Sequence, residues 1–178
     1  MDVFEAIKGR RSIRKFKRGK VPRDLIEKIL DAARWAPSGG NIQPWKFIVV
    51  DDEKVLERIK SVSPGLFGDP PALIVICSEK ERAFKVGGKL ARDYLTIADC
   101  SMAAQNMCLA AYALGLGSCI VKSFSSIGVK EILEIPEGIE PELIVTIGWP
   151  DITPSPPPRK SIEEITYLNK YGVTWSEK

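Results

Sequence analysis

In the stretch GRRSIRKFKR, residues 9–18, two arginines and a hydroxyl stand together at Arg10, Arg11 and Ser12, with Arg14 two residues beyond. Two guanidinium forks beside a hydroxyl suit a phosphate dianion, because each fork offers parallel, charge-assisted N–H donors. Arg14 would point from the same segment toward whatever that phosphate is attached to. From Lys8 to Lys20 there are eight basic residues and no acidic one, yet the whole chain has a formal charge of only +3. Positive charge is therefore concentrated here. The run reads equally well as a solvated basic loop, since charge runs usually lie on the surface. Nucleic-acid binding is the weaker reading: only Phe16 interleaves with the arginines and the chain is near neutral.

Three further stretches invite chemistry. In APSGGNIQPW, residues 36–45, Pro37, Ser38, Gly39 and Gly40 form a turn of little bulk, where backbone can approach a flat ligand. Asn41 and Gln43 add amides for a ring edge. The alternative is a plain helix-to-strand loop. LGLGSCIVKSF, residues 114–124, places two glycines before a short strand, whose terminal N–H groups suit a ring nitrogen. It reads also as a helix cap at Gly115 followed by a core strand. Arg159 and Lys160 are two cations at the end of a proline-rich arm, a pattern that is usually surface.

The chain has no histidine. That removes Ser-His-Asp and Cys-His catalysis and most transition-metal sites, so no metal centre is expected. If the protein is an enzyme, a cofactor carries the difficult chemistry and no catalytic side chain need be assigned. Four cysteines without a C-x-x-C pair, each in apolar surroundings, favour reduced, buried thiols.

The elements that must hold these stretches read as one domain over residues 1–178, with 150–178 an extended arm, a short helix and a tail. No apolar run approaches the ~20 residues a bilayer requires, and the start MDVFEAIKGR lacks a signal-peptide core. A cytoplasmic protein with no membrane partner is the expectation. Asp2 and Glu5 open a first helix; Pro22 opens a second, apolar at helical spacing, that stops before Pro37. WKFIVV is a strand, DDEKVLERIKSV an amphipathic helix, and ALIVICS a strand apolar enough to be buried on both faces. Residues 91–114 form a long helix whose surface is apolar or small nearly all round from Ile97, as in a core or an interface. SCIV and ELIVTIGW are strands, with the helix SIGVKEILEI between them, and SIEEITYLNK is a last helix. Five prolines in residues 150–158 keep the arm extended. The class is α+β, with roughly four strands and five to six helices.

Taken in order, these stretches resemble the FMN-dependent nitroreductase family. RRSIR near the N-terminus, APSGGNIQPW, the helix DCSMAAQNMCLAAYALGLGSC and a late Arg-Lys pair all match its pattern, across essentially the whole chain. The resemblance implies a three-layer fold, a mixed central sheet flanked by helices, and an intertwined homodimer with FMN in its interface. It places Arg10, Arg11 and Ser12 on the FMN phosphate and ribityl chain, and Arg14 near N1 and O2. A cation there stabilises the reduced, anionic ring. Pro37, Ser38 and Gly39 would come from the partner onto the dimethylbenzene end, with Gln43 nearby or structural. Val121 and Lys122 fall near N5, the Lys122 N–H being the donor, and Arg159 and Lys160 would reach the phosphate.

The implied reaction passes a hydride from NADH or NADPH to N5 and then reduces an electron-poor small molecule, a nitroarene or quinone, in ping-pong order. Holding the donor carbon at roughly 3–3.5 Å supplies most of the rate. Two departures from the family pattern stand out. Lys122-Ser123 occupies a place where many members have a small or acidic residue and then Gly. Residues 61–71 and 79–90 are also short for the helical excursions that shape the acceptor pocket in larger members. Reductive dehalogenation or flavin modification on the same fold, and a non-enzymatic flavin- or polyanion-binding protein, are the alternatives.

Overall fold

The computed structural model describes residues 1–175. The chain runs α1 (Val3–Gly9), α2 (Arg23–Arg34), β1 (Trp45–Val50), α3 (Glu53–Ser61), β2 (Ala72–Glu79), α4 (Lys80–Leu90), α5 (Thr96–Ala113), β3 (Gly117–Val121), α6 (Ser126–Leu133), β4 (Ile139–Gly148) and α7 (Ile162–Ile165). Helix starts follow the caps in the sequence. The Asp2 side chain accepts from the Phe4 N–H while Glu5 accepts from the Asp2 N–H, a reciprocal capping box. Asp52 and Ser125 cap α3 and α6 with a single bond each, accepting from the N–H groups of Val55 and Gly128.

The strands form one sheet in the order β1-β2-β4-β3. All three ladders are antiparallel. The mixed sheet expected from the resemblance is thus narrower in fact: its parallel pairing is the isolated bridge between Ser12 and Ser118. β2 is buried from Ala72 to Ser78, and its residues alternate between two cores. Ile74 and Ile76 pack with Ile29, Ala33, Ala103 and Met107 of α2 and α5. Leu73, Val75 and Cys77 pack on the other face with Ile59 of α3 and Val129 of α6. Three layers result, helices over a sheet over helices, because a strand apolar on both faces must be covered on both.

The long helix begins earlier than expected. Residues 80–90 are already helical as α4, bent where Gly88 turns to φ +64°, and a π-turn at 91–95 leads into α5. Residues 79–90, read as short for a pocket-shaping excursion, thus hold one eleven-residue helix that runs on toward α5. Along α5 the buried residues, from Thr96 to Ala111, recur three and four apart on one face, while Ala98, Ser101, Met102 and Gln105 on the opposite face are exposed in the single chain, so the all-round apolar surface is only half covered. The last helix is shorter than read, Ile162–Ile165, and the chain then closes a small hairpin with a bridge between Tyr167 and Thr174. Part of the expected tail, residues 176–178, lies outside the described residues. All four cysteines are free and buried; burial pushes the Cys77 and Cys100 thiols up to about 12, so they stay protonated and inert. Among the described residues no helix is long and apolar enough to cross a membrane.

Candidate functional site

The basic segment is fastened to the sheet by its apolar member. Ile13 is buried against Gly117, where an added Cβ would come within 2.7 Å of its side chain, and its N–H donates to the Ser118 carbonyl at 2.9 Å. This pairing turns Ser12 toward β3 and leaves Arg14 exposed. Farther along, Phe16 bridges to Pro150 and Lys17 N–H donates to the Trp149 carbonyl, so the segment crosses the end of the sheet. Arg10 and Arg11 follow directly on α1. The Arg11 guanidinium donates to the carbonyls of Lys8 and Arg10, at 2.7 and 2.8 Å. Yet Nε of Arg10 and Nε of Arg11 are both buried without a hydrogen-bond partner. Between them lies a small cavity of about 90 Å³, shared with Tyr112, Ser118 and Thr153. Unpaired buried donors of permanently charged groups beside a cavity of anion size call for an acceptor from outside the chain.

β3 is an edge strand, and its hydrogen-bonding groups alternate in direction. Because Ser118 faces the basic segment, Ile120 and Lys122 present their main-chain groups to the same free edge, beyond the part that Ile13 covers. The Lys122 side chain turns back across the sheet. Its ammonium donates to the Glu142 carbonyl at 2.8 Å and lies 3.7 Å from the Glu142 carboxylate, which also pairs with Lys80 at 2.6 Å and accepts from Ser78 at 2.7 Å. Burial pushes the Glu142 carboxyl up, but the hydrogen bonds from Lys80 and Ser78 and the two lysine charges outweigh it and hold it below its ordinary range. The loop before β2 closes this region. Gly65 N–H donates to the Ser123 carbonyl at 3.0 Å, and Gly68, at φ +74°, lies so close to the Arg14 carbonyl that a Cβ would overlap it. Arg14 and Lys122 are thereby brought to one loop.

The loop 37–43 is built separately. Gly40, Asn41 and Gln43 all have positive φ, at 58°, 55° and 50°, a conformation that costs side-chain-bearing residues energy and must be held by neighbours. Ser38 Oγ accepts from the Gln43 N–H at 3.0 Å and the Gln43 amide donates to Asn41 at 3.1 Å, so Gln43 is committed inside its own loop. Gly39 rests on Leu95, and its N–H donates to Asp99 at 3.2 Å. This loop feeds β1, at the opposite sheet edge from β3, three strand spacings or roughly 14 Å away. Along α5 it docks at Asp99, whereas the arginine segment docks at Tyr112, thirteen residues on and roughly 20 Å apart at 1.5 Å per residue. One chain therefore gathers Arg10, Arg11, Ser12, Arg14, Val121 and Lys122 but keeps Pro37, Ser38 and Gly39 apart from them. Arg159 is exposed and donates to the carbonyls of Pro157 and Pro158; neither it nor Lys160 joins the arginine cluster within the chain.

The family model described as the Nitroreductase family matches residues 7–64 and 62–149. The chain belongs to the nitroreductase family. A protein from Methanothermobacter thermautotrophicus, provisionally named NADH dehydrogenase/NAD(P)H nitroreductase, is 39% identical over 160 residues, covering 86% of this chain and 80% of its own. The solved structure of an FMN-dependent nitroreductase from Clostridium difficile R20291 is 30% identical, covers 94% of this chain and 99% of its own, and superposes with a TM-score of 0.82. A nitroreductase family structure from Streptococcus pneumoniae reaches a TM-score of 0.85 at 23% identity, a likeness of fold alone. As a member of the nitroreductase family, the protein is an oxidoreductase.

Within this family member, Tyr112, Asp99 and the glycines at 65 and 68 touch the site residues from distant parts of the chain and were not singled out by their sequence. A signal existed for one of them: Asp99 is a carboxylate inside an apolar helix, and its burial is what the fold adds. A second cavity, of about 610 Å³, lies away from the arginine site, between α3 and Arg18–Lys20. Asp51, Glu53 and Glu57 line it together with Arg18, Lys20 and Lys60, so the outer half of the basic run faces acids and presents no uniform positive field.

Proposed function

We propose that the protein is an FMN-dependent, NAD(P)H-oxidising reductase of electron-poor small molecules such as nitroarenes and quinones, acting as a homodimer with FMN between the two copies. One observation carries the reading: Nε of Arg10 and Nε of Arg11 are buried and unpaired beside a cavity of about 90 Å³. A phosphate monoester fits that donor set in charge and number. FMN-dependence and NAD(P)H appear in the names of the C. difficile structure and the M. thermautotrophicus protein. When bound, FMN would supply the redox chemistry, taking a hydride from a reduced nicotinamide and handing electrons to the acceptor.

The protein's own residues then bind and orient. Arg10, Arg11 and Ser12 hold the phosphate. Arg14, exposed on the same segment, places its charge where the reduced ring becomes anionic. The free edge of β3 aims the Lys122 N–H at N5. Tethering of the Lys122 ammonium to Glu142 keeps that side chain off the same spot. Pro37, Ser38 and Gly39 sit too far from this cluster to serve it within one chain, which is the reason for assigning them to the flavin of a second copy. Arg159 and Lys160, on an arm exposed from Asp151 to Ser161, are assigned to the partner's phosphate on the same ground. The absence of histidine is no obstacle, because hydride transfer needs positioning and no side-chain proton donor.

The test is optical. Protein incubated with FMN and desalted should remain yellow, and its absorbance should bleach when NADH or NADPH is added without oxygen. Protein that emerges colourless, with no flavin retained, would refute the proposal.

A further inference from the structure

Asp99 is a buried carboxylate that the site assignments above do not use. It lies on α5, one helical turn beyond Leu95, and is 2% exposed. One oxygen accepts the Gly39 N–H at 3.2 Å; the other, Oδ2, is buried and has no partner. Burial pushes the Asp99 carboxyl up, and the Gly39 hydrogen bond pulls it partly back. The Gly39 N–H is thus the one protein donor, among the described residues, that offsets the desolvation of this group. An Ala or Leu at this position would satisfy an apolar helix better, so a half-paired carboxylate here requires a reason.

Its surroundings supply one. The loop it grips carries strain at Gln43, whose φ of 50° costs energy where the positive φ of Gly40 and Asn41 costs little. Ile42 packs the end of the loop against Ala83, Ala91 and Leu95, and two further contacts fall on Gly39. Leu95 fills the space in front of its Cα, so that a Cβ there would stand 2.7 Å from the Leu95 methyl. Asp99 takes its N–H. The apolar contact sets distance and the hydrogen bond sets direction.

We infer that Asp99 is a positioning residue: its carboxylate, through the Gly39 N–H, holds the 37–41 loop in the conformation that covers the flavin of the partner copy. The inference rests on the reading of the protein as a dimeric flavin enzyme. It adds that the loop's shape is imposed by α5, the same helix whose far end carries Tyr112 beside the arginine cavity. One rigid rod of 18 residues, roughly 27 Å long, thereby sets the spacing between the contribution a copy makes to its own flavin and the one it makes to its partner's.

Two variants and two readouts test this. Asp99→Leu removes the acceptor and keeps the branched side-chain skeleton; Asp99→Asn keeps an acceptor oxygen and removes the charge. Hydrogen exchange of the flavin-free protein, followed by mass spectrometry, should show residues 37–43 of Asp99→Leu exchanging at least tenfold faster than wild type, with the β2 segment 72–79 unchanged. Asp99→Asn should stay within about threefold of wild type. FMN titration should then show at least tenfold weaker binding for Asp99→Leu and near-wild-type binding for Asp99→Asn. Unchanged exchange at 37–43 in Asp99→Leu overturns the inference, as does equal damage by both variants. If Asp99→Leu does not fold, Leu95→Ala loosens the other half of the same contact. It should speed exchange at 37–43 and weaken FMN by severalfold; no change in either overturns the inference. Wild-type protein that binds no FMN refutes the flavin reading and with it the loop's role over flavin, while the exchange data still decide whether Asp99 holds the loop.

Discussion

Arg10 and Arg14 sit on the same short segment and are expected to do different work. Arg10 closes α1, its N–H donating to the Ala6 carbonyl at 3.0 Å, and its side chain, with Nε buried and unpaired, lines the small cavity. Arg10→Ala should weaken FMN binding by tenfold or more, the scale of a lost charge-assisted hydrogen bond, and leave the reduction rate of the FMN that does bind within a few-fold. Arg14→Ala should do the reverse, as stopped-flow reduction by NADH and equilibrium titration would show; equal effects on both would contradict the division of roles. Gly68 supports Arg14 by its missing side chain. Gly68→Ala places a Cβ on the Arg14 carbonyl at a φ of +74° and should cost about 2 kcal/mol, a fall of about 4–8 °C in melting temperature. Glu142 carries a pH signature. Its carboxyl is held below the ordinary range, so its contribution is complete above the unfolded-state pKa of about 4.3 and is lost as pH falls through the lower folded value. Glu142→Gln should therefore lose about 2–3 kcal/mol at neutral pH and progressively less in acid, measured by urea unfolding at several pH values. The types Arg10, Arg11, Ser12 and Arg14 were legible because they are neighbours in sequence. Asp99 was not, since its partner Gly39 is sixty residues away.

At the scale of elements, β3 matters more for its edge than for its side chains. Parity along the strand turns Ser118, Ile120 and Lys122 outward, and only the first of these is covered by the basic segment. Lys122→Ala keeps the outward N–H and should leave flavin reduction within a few-fold. Lys122→Pro deletes that N–H and should slow reduction by tenfold or more, in single-turnover measurements with NADH. Equal rates for the two variants would place the N5 donor elsewhere. Caps and periodicity made most elements readable: the Asp2–Glu5 box and the apolar run of β2 folded as their residues dictate, and α5 is helical as read, with one face buried and the other open. The segment 80–90 was obscured by Gly87-Gly88, which sequence rules treat as a break; here the break is a bend inside helical chain, followed by a π-turn. The last helix stops at Ile165 after one turn, although Tyr167 and Leu168 continue an apolar pattern. Those residues serve a hairpin, with the rings of Tyr167 and Tyr171 4.4 Å apart.

For the whole molecule, the sheet and α5 act as spacers. They hold the arginine segment and the 37–41 loop at opposite sheet edges and opposite ends of one helix. Exposed apolar side chains are consistent with a large covered surface: Phe4 and Ile7 on α1, and Ile162, Ile165 and Trp175 on the C-terminal arm, are each more than half exposed. Family membership could be read from the order of the motifs, but the separation of the arginine segment from the 37–41 loop, on which the proposed second copy rests, became visible only when the motifs had positions. Native mass spectrometry of the FMN-loaded protein tests that claim most directly. The account predicts a particle of two chains with two FMN molecules, and no flavin on any single chain. A monomer that carries one FMN at full affinity would contradict it.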